Sequence, residues 1–324
     1  MGKIVEPAWP AGAEPVEAFA ERMLARGDEL YRALPWRHID DPYAVLVSEI
    51  MLQQTQVARV GRFWERFLAA FPTVDALAAA AVPDVLELWQ GLGYNRRALA
   101  LKRTADQCAA EGEGRLPDTY EGLLALPGIG PATAAGVMAF AHQVPGVYVE
   151  TNVRAVFLHE LFPDRDGVSD RELAPAVAAA AFCGPAAADP RRWYYGLLDY
   201  GAHLKATGVN PTRRSASYSR QSAFEGSRRQ KRAWIVRRVL AAPEGSEAPC
   251  VLAELSAAEA GAGRPAVDEA LFASIVDDLV AEGFFRREGA LLIPWRSCCG
   301  YHRTDSDRRG AVHGRLRRGR VQRP

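Results

Sequence analysis

The sequence predicts a chain that is all-α over most of its length and ends in a small α+β unit. From residue 16 to residue 207, apolar residues recur at helical spacing and two-residue alternation is almost absent. A run that reads as a β-hairpin comes only at residues 284–293, where Glu288-Gly289 marks the turn. Between these regions, a turn rich in Gly and Pro at residues 126–130 joins two short helical patterns.

Composition limits the broad class of the protein. A chain of 324 residues with 48% hydrophobic and 24% charged residues is typical of a soluble protein of two or three domains. The formal net charge of +1 leaves nucleic-acid binding open, because a near-neutral total can hide a basic face. The five cysteines lack the spacing of a metal site or a disulfide framework. With no membrane-length apolar run and no signal-peptide order at residues 1–15, we expect a cytoplasmic protein.

Caps and helix breakers divide the all-α region into elements. A loose arm at residues 1–15 precedes the first helix, which Pro35-Trp36-Arg37 ends. Asp40-Asp41-Pro42 then supplies an acidic cap and a first-turn proline for the next helix. Residues 145–148 are predicted to be extended. The predicted helices span residues 16–34, 43–71 with a break near Gln56, 72–80, 83–89, 96–111, 120–124, 134–141, 153–162, 170–182 and 191–207.

The last third of the chain has a different character. Arg213, Arg214 and Arg220 lie among Ser, Tyr and Gln, a composition typical of a phosphate-contacting surface or, equally, of a solvated linker. Helices predicted at residues 227–240, 250–254 and 271–282, followed by the hairpin, indicate a winged-helix-like domain at residues 231–295, a module that binds DNA or protein. The Arg- and Gly-rich residues 296–324 are predicted to be a disordered tail with nonspecific affinity for nucleic acid.

The turn at residues 126–130 is the first candidate binding element. Two glycines allow a close backbone approach, and the helix that follows directs its N–H groups and positive dipole end outward. Such an arrangement suits a phosphate group. A simple connection between two core helices would have the same sequence.

Two carboxylates are candidates for acid–base chemistry. Glu49 lies in an otherwise apolar helix, where burial would raise its pKa toward that of a general acid. A surface position on the flank of that helix is the simpler alternative. Glu150 directly precedes a predicted helix, so its side chain could cap that helix instead of taking part in catalysis.

Several segments together resemble the helix-hairpin-helix (HhH-GPD) DNA glycosylases, and within them the adenine glycosylases that act opposite guanine or oxidised guanine. The likeness covers residues 34–204. The segments that carry it are Leu34-Pro35-Trp36-Arg37, Asp41-Pro42-Tyr43, Ser48-Glu49 through Gln56-Val57, Leu88-Trp89 with Gly91-Leu92-Gly93-Tyr94, Leu126-Pro127-Gly128 and Gly201-Ala202.

The resemblance implies an all-α, two-lobe fold over residues 16–230, with a pocket between the lobes for a flipped-out adenosine. It implies that Glu49 protonates the leaving purine, that Glu150 stabilises the positive sugar, and that Asn152 helps to hold the acid. It also implies a base pocket formed by Trp36, Arg37, Leu52 and Tyr195. Gln54 and Tyr94 are implied to be wedge residues, which enter the opened base stack. The hairpin residues Leu126, Gly128, Gly130 and Thr133 are implied to hold a phosphate, with a possible monovalent cation.

The sequence also departs from the family pattern. Ala132 replaces the lysine of bifunctional relatives, so we expect base excision without efficient strand cleavage. Lys205 stands where the first cysteine of an iron–sulfur cluster would be, and residues 211–229 contain no cysteine, so we expect no cluster. Tyr195 stands where Glu or Gln usually faces the base, and Glu150 replaces the usual Asp. The C-terminal unit does not resemble the domain that checks for oxidised guanine.

The expected protein is therefore a monofunctional, monomeric, nucleoid-associated glycosylase that acts on double-stranded DNA with a mismatch or a damaged base, without a membrane or an iron–sulfur cluster. Two alternatives stay open. One is an endonuclease III-like glycosylase for damaged pyrimidines, and the other is a non-catalytic DNA-binding relative.

Overall fold

The computed structural model describes residues 9–219 and 223–295. Most of the predicted arm, Arg220 and the predicted basic tail lie outside the described residues. The helices are α1 Val16–Glu29, α2 Pro42–Leu52, α3 Val57–Ala70, α4 Val74–Ala79, α5 Val82–Trp89, α6 Arg96–Glu111, α7 Tyr120–Leu124, α8 Pro131–Phe140, α9 Thr151–Glu160, α10 Asp170–Ala181, α11 Gly184–Ala188, α12 Pro190–Ala206, a 3-10 turn Pro211–Arg214, α13 Arg228–Leu240, α14 Ala248–Gly261 and α15 Glu269–Glu282. Three short strands are β1 Ser246–Glu247, β2 Phe285–Glu288 and β3 Leu291–Pro294. None of the described helices has the length and apolar character needed to cross a membrane.

Local capping explains where many helices begin. The Asp41 carboxylate accepts a hydrogen bond from the Tyr43 N–H at 3.0 Å, with Pro42 in the first turn of α2. Ser169 and Glu172 form a reciprocal capping box at the start of α10. The predicted bounds of α6 and α7 are confirmed at both ends.

Two predictions of elements were wrong. The first helix ends at Glu29 rather than near residue 34, because the Arg32 N–H leaves the helix to bond the Asp199 carboxylate at 3.0 Å. Helix α14 is far longer than predicted, because its alanine-rich second half favours a helix without apolar periodicity. Residues 145–148, predicted to be extended, lie outside the helices and strands, so this prediction is not contradicted. Helix α11 and strand β1 were missed because each is so short.

Helices α1 to α12 form two lobes. Helices α2 to α8 pack mainly on one another, while α1 packs with α9 to α12. In the second lobe, Gly27 of α1 and Gly196 of α12 lie backbone to backbone, and a Cβ on Gly27 would collide with the Cα of Gly196. Contacts of α8 with both α2 and α12 join the lobes, so α2, α8 and the start of α9 meet at their junction.

The C-terminal unit has a winged-helix-like arrangement. Helices α13, α14 and α15 pack around a three-stranded antiparallel sheet with strand order β1-β3-β2. Phe284, Phe285 and Leu292 bury their side chains in its core. The predicted hairpin is confirmed, but its turn is Gly289-Ala290 rather than Glu288-Gly289, because Glu288 ends β2 and pairs with Leu291. Arg96 of α6 forms an ion pair with Glu282 of α15, which joins this unit to the helical lobes.

Candidate functional site

Glu49 lies on α2 at the junction of the lobes. Its Oε2 accepts a hydrogen bond from the Tyr148 hydroxyl at 3.0 Å. Gly136 of α8 lies directly behind it, since a Cβ there would be 2.5 Å from the same oxygen. Burial raises the pKa of Glu49 to about 8, the Tyr148 hydrogen bond opposes that rise, and the charge of Glu150 adds to it. A carboxyl group with that pKa is protonated at neutral pH and can act as an acid.

Glu150 is the N-cap of α9 and also faces the same junction. Its carboxylate accepts from the Val153 N–H at 2.8 Å, from the Asn152 N–H, and from the Asn152 side-chain Nδ2 at 3.3 Å. Burial raises its pKa, while these N–H groups and the cations Lys205 and Arg154 act against the rise. Because its charge also raises the pKa of Glu49, the two carboxyl groups belong to one site. Capping and a place in the site therefore coexist.

Tyr148 is the site residue that the sequence analysis missed. Its buried ring packs edge-on against Phe140 and Tyr194, and its N–H donates to the Tyr194 hydroxyl at 3.2 Å. Burial, followed by the charges of Glu49 and Glu150, raises its pKa well above the ordinary value, so it remains a neutral donor. An aromatic residue two positions before Glu150 was the signal available, but no spacing rule links it to Glu49.

Tyr195 and Arg37 form a buried stack beside the site. The Tyr195 ring lies parallel to Phe140 with centroids 4.4 Å apart, and the Arg37 guanidinium sits 4.4 Å from the Tyr195 centroid. Both Nη atoms of Arg37 bond the Asp199 carboxylate, at 2.6 and 2.7 Å. Its buried Nε has no hydrogen-bond partner among the described residues. Arg37 therefore packs against the Tyr195 ring, and both of its Nη atoms donate to Asp199.

The other two residues predicted for the base pocket differ in exposure. Trp36 is buried and packs edge-on against Trp64. Leu52 is the last residue of α2 and is half-buried. Of the four predicted residues, Leu52 is therefore the one with the largest accessible surface.

The predicted wedge residues share an unusual backbone conformation. Gln54 and Tyr94 have φ values of 56° and 49°, in the left-handed region that non-glycine residues rarely adopt. Such strain concentrates at functional sites. The half-buried Arg97 holds both loops, since it donates to the Ile50 and Met51 carbonyls at 2.8 and 3.0 Å and to the Gly93 carbonyl at 3.0 Å. Burial lowers the pKa of Arg97 to about 10, which leaves it charged at neutral pH.

The hairpin between α7 and α8 is fixed from both sides. Gly128 has a φ of 76°, and a Cβ on it would lie 2.6 Å from the Ala100 Cβ, so glycine is needed for conformation and for space. Leu126 is buried. Gly130 is the N-cap of α8, and Thr133 in its first turn accepts from Gln53 Nε2 at 3.1 Å. The hairpin, α2 and the loop of Gln54 are therefore directly connected.

The segment in which the family resemblance would place the cluster cysteines carries other side chains. Arg214 donates to the carbonyls of Leu158 at 2.9 Å and Phe162 at 3.0 Å, at the C-terminal end of α9. Its predicted role as a phosphate contact is therefore wrong for these donors, because they bind protein carbonyls; Arg213 is exposed. Lys205 offers an ammonium group where a thiolate would be needed, and the sequence places no cysteine at residues 184–249. These residues do not fit an iron–sulfur cluster.

Comparison with known proteins agrees with this geometry. Residues 47–174 match the family described as HhH-GPD superfamily base excision DNA repair protein. The chain is 40% identical over 158 residues to the adenine DNA glycosylase of Mycolicibacterium smegmatis, covering 48% of this chain and 54% of that protein. It is 40% identical over 151 residues to the adenine DNA glycosylase of Mus musculus, covering 44% of this chain and 29% of that one. The chain thus spans about half the length, or less, of these curated relatives.

A solved structure described as a thermostable thymine-DNA glycosylase has a similar fold. Its TM-score is 0.51 at 24% identity, covering 58% of this chain and 86% of that one. At that identity the likeness concerns the fold alone.

Proposed function

We propose that this chain, in which residues 47–174 form an HhH-GPD domain, is a monofunctional base-excision glycosylase that removes adenine mispaired with guanine or oxidised guanine. The observation that carries the proposal is the pairing of Glu49, with its pKa raised to about 8, and Glu150 in one site at the lobe junction. The curated relatives named adenine DNA glycosylase support the choice of base.

In the proposed reaction, the target nucleotide leaves the duplex to reach the site, at a cost of a few kcal/mol that is lowest at a mismatch. Gln54 and Tyr94 enter the opened stack, and the hairpin around Gly128 and Gly130 holds a backbone phosphate. A monovalent cation bound by hairpin carbonyls is part of the same proposal.

Glu49 then acts as the general acid. It donates its proton to a ring nitrogen of adenine, and the C1′–N9 bond breaks with its electron pair going to the base. The positive sugar that remains is stabilised by the Glu150 carboxylate. Water adds to C1′ and gives up a proton, which returns to the Glu49 carboxylate, so the products are free adenine, an abasic site and the regenerated acid. Proton transfer of this kind contributes about 10²–10⁴-fold to a rate.

Because position 132 carries no amine, the proposed reaction ends before strand cleavage. A strand-cleaving glycosylase uses a lysine that forms a Schiff base with the abasic sugar. Ala132 cannot form one, so the proposed enzyme stops at the abasic site. Double-stranded DNA is the proposed partner, and the proposed active species is a monomer.

The test is a glycosylase screen on duplexes that vary both target and opposing base, with alkali to reveal abasic sites. We expect excision of adenine opposite guanine or oxidised guanine, and at least about a hundredfold loss of rate in E49Q. E113Q is the matched control, because Glu113 is exposed and forms an ion pair with the exposed Arg115. Excision of damaged pyrimidines with borohydride-trapped enzyme would indicate an endonuclease III-like activity instead. DNA binding without excision of any base would indicate a non-catalytic relative.

A further inference from the structure

We infer that Lys205 is a positioning residue of this site: through Asn152 it orients the Glu150 carboxylate and supplies the cation that keeps it ionised. The inference deepens the proposed glycosylase function and rests on it. It also gives a role to the residue that replaces the first cluster cysteine of relatives.

Two hydrogen bonds link Lys205 to Glu150 through Asn152, and in each the group nearer Lys205 is the donor. Lys205 Nζ donates to Asn152 Oδ1 at 2.9 Å, and Asn152 Nδ2 donates to Glu150 Oε2 at 3.3 Å. An ammonium group has donors only, so it fixes which end of the Asn152 amide is the oxygen. The NH₂ end must then face Glu150. The Glu150 carboxylate only accepts hydrogen bonds, so it selects the same orientation, and Lys205 holds the amide in it from the other end.

The packing of α12 against Asn152 places Lys205 close to the Asn152 side chain. Gly201 lies one turn before Lys205, and a Cβ on Gly201 would be 2.6 Å from the Asn152 Cβ and 2.7 Å from its carbonyl carbon. Residues four apart in a helix share a face. Close packing at Gly201 therefore directs the Lys205 stem toward the Asn152 side chain.

The charges around Glu150 show why a cation is needed. Burial disfavours its ionised form, and the positive charges of Lys205 and Arg154 act against that effect. Among the described residues, the Glu150 charge in turn acts on Glu49 and Tyr148, and Tyr195 also acts on Tyr148. Arg154 is already paired with Asp170 of α10, at 2.6 and 2.8 Å, which offsets its charge. Glu49 adds a like charge beside Glu150 only when it ionises, because its pKa is raised to about 8. Lys205 is the half-buried cation of this group for which the structure shows an amide as hydrogen-bond partner, rather than a carboxylate.

The influence is mutual. Burial lowers the pKa of Lys205, and the Glu150 charge acts to raise it again. The two groups thus support each other's charged forms across the Asn152 amide.

The experiment compares K205R, K205Q and K205M with the parent protein by two readouts. The first is the pKa of the Glu150 carboxyl, followed by NMR with carboxyl-labelled glutamate and assigned with E150Q. The second is the single-turnover rate of adenine excision against pH. We expect K205M and K205Q to raise the Glu150 pKa by about 1 unit or more. The ascending limb of the rate–pH profile should shift to higher pH by the same amount. K205R should retain the parent values, because it keeps the charge.

K102M is the matched control. Lys102 is also largely buried and bonds the Ala78 carbonyl at 2.9 Å, but α6 holds it away from Glu150. K102M should lower the melting temperature and leave the Glu150 pKa unchanged. A Glu150 pKa that is the same in the parent, K205Q and K205M would overturn the inference. So would a borohydride-trapped abasic complex lost in K205Q, which would make Lys205 a nucleophile.

The outcomes separate the inference from the proposed function. If the parent excises no base, the proposed function fails, and the NMR titration still tests whether Lys205 controls Glu150. If the parent excises adenine and the titration does not respond to K205M, only the inference fails.

Discussion

Replacing Gly136 with alanine should separate stability from activity. Gly136 lies within α8, and its added Cβ would meet Glu49 Oε2 at 2.5 Å, Tyr148 Cε2 at 3.1 Å and Glu49 Cδ at 3.2 Å. The first of these atoms is the end of a flexible side chain, so the carboxyl group would move while the backbone stays. To reach 3.4 Å, where ordinary van der Waals contact begins, the oxygen must move by about 0.9 Å.

The two effects of G136A have opposite signs. Alanine in a helix interior is favoured over glycine by about 0.5–1 kcal/mol, which offsets part of the cost of the displacement. We therefore expect the free energy of unfolding to change by less than about 1 kcal/mol. A catalytic group misplaced by about 1 Å can lose about 100-fold in rate, which corresponds to about 2.7 kcal/mol of transition-state stabilisation.

The assay is single-turnover excision of adenine together with urea unfolding monitored by circular dichroism. The matched control is G61A, a helical glycine of α3 whose added Cβ would have Pro35 Cγ, at 3.9 Å, as its nearest neighbour. G61A should gain stability and keep its rate. If G136A excises adenine within threefold of the parent rate, the placement of Glu49 against Gly136 does not matter for catalysis, and the reasoning is refuted.

Two further predictions follow from buried charges. The raised pKa of Glu49 contributes stability that is fully present below its ordinary value of 4.5 and is lost as pH rises through about 8, so the melting temperature of E49Q relative to the parent should rise between pH 5 and pH 9. A melting-temperature difference that is flat across that range would contradict the raised pKa. D199N should lower the free energy of unfolding by about 3–5 kcal/mol, because it leaves Arg37 and Arg32 without their shared carboxylate. E113Q, which breaks an exposed pair, should change it by less than about 1 kcal/mol in the same urea titration.

Local signals in the sequence predict much of the fold. Helix α6 has its predicted bounds because Gly93 and Gly112 flank a continuous amphipathic run. A helix after the Gly130-Pro131 turn was also predicted, although α8 begins at Pro131, three residues before its predicted start, because proline is favoured in the first turn of a helix. The buried surroundings of Glu49 follow from its apolar neighbours on α2. These features depend on residues within one or two turns of each other.

Contacts between distant residues could not be predicted in this way. Tyr148 and Glu49 are 99 positions apart, and Lys205 and Asn152 are 53 apart. The Arg97 contacts to the α2 carbonyls cross more than 40 positions. No periodicity relates such residues, since the packing of α8 and α12 against α2 and α9 brings them together. The contacts of Arg214 could not be predicted either. A basic residue in a polar segment has the same sequence pattern whether it contacts a phosphate or the carbonyls at a helix end.

The hydrogen bonds around the two carboxyl groups determine which of them keeps a proton. Among the described residues, Glu49 accepts one hydrogen bond, from the neutral Tyr148 phenol, whereas Glu150 accepts two from the α9 backbone and one from the Asn152 side chain. Donors to a carboxylate favour its charged form, and Lys205 adds a positive charge on the same side. Because two buried carboxylates in one site disfavour joint ionisation, the pair should hold one proton at neutral pH, and the difference in donors places it on Glu49. The same asymmetry supports the proposed roles, because a protonated Glu49 can donate to a leaving base and an ionised Glu150 can face a positive sugar.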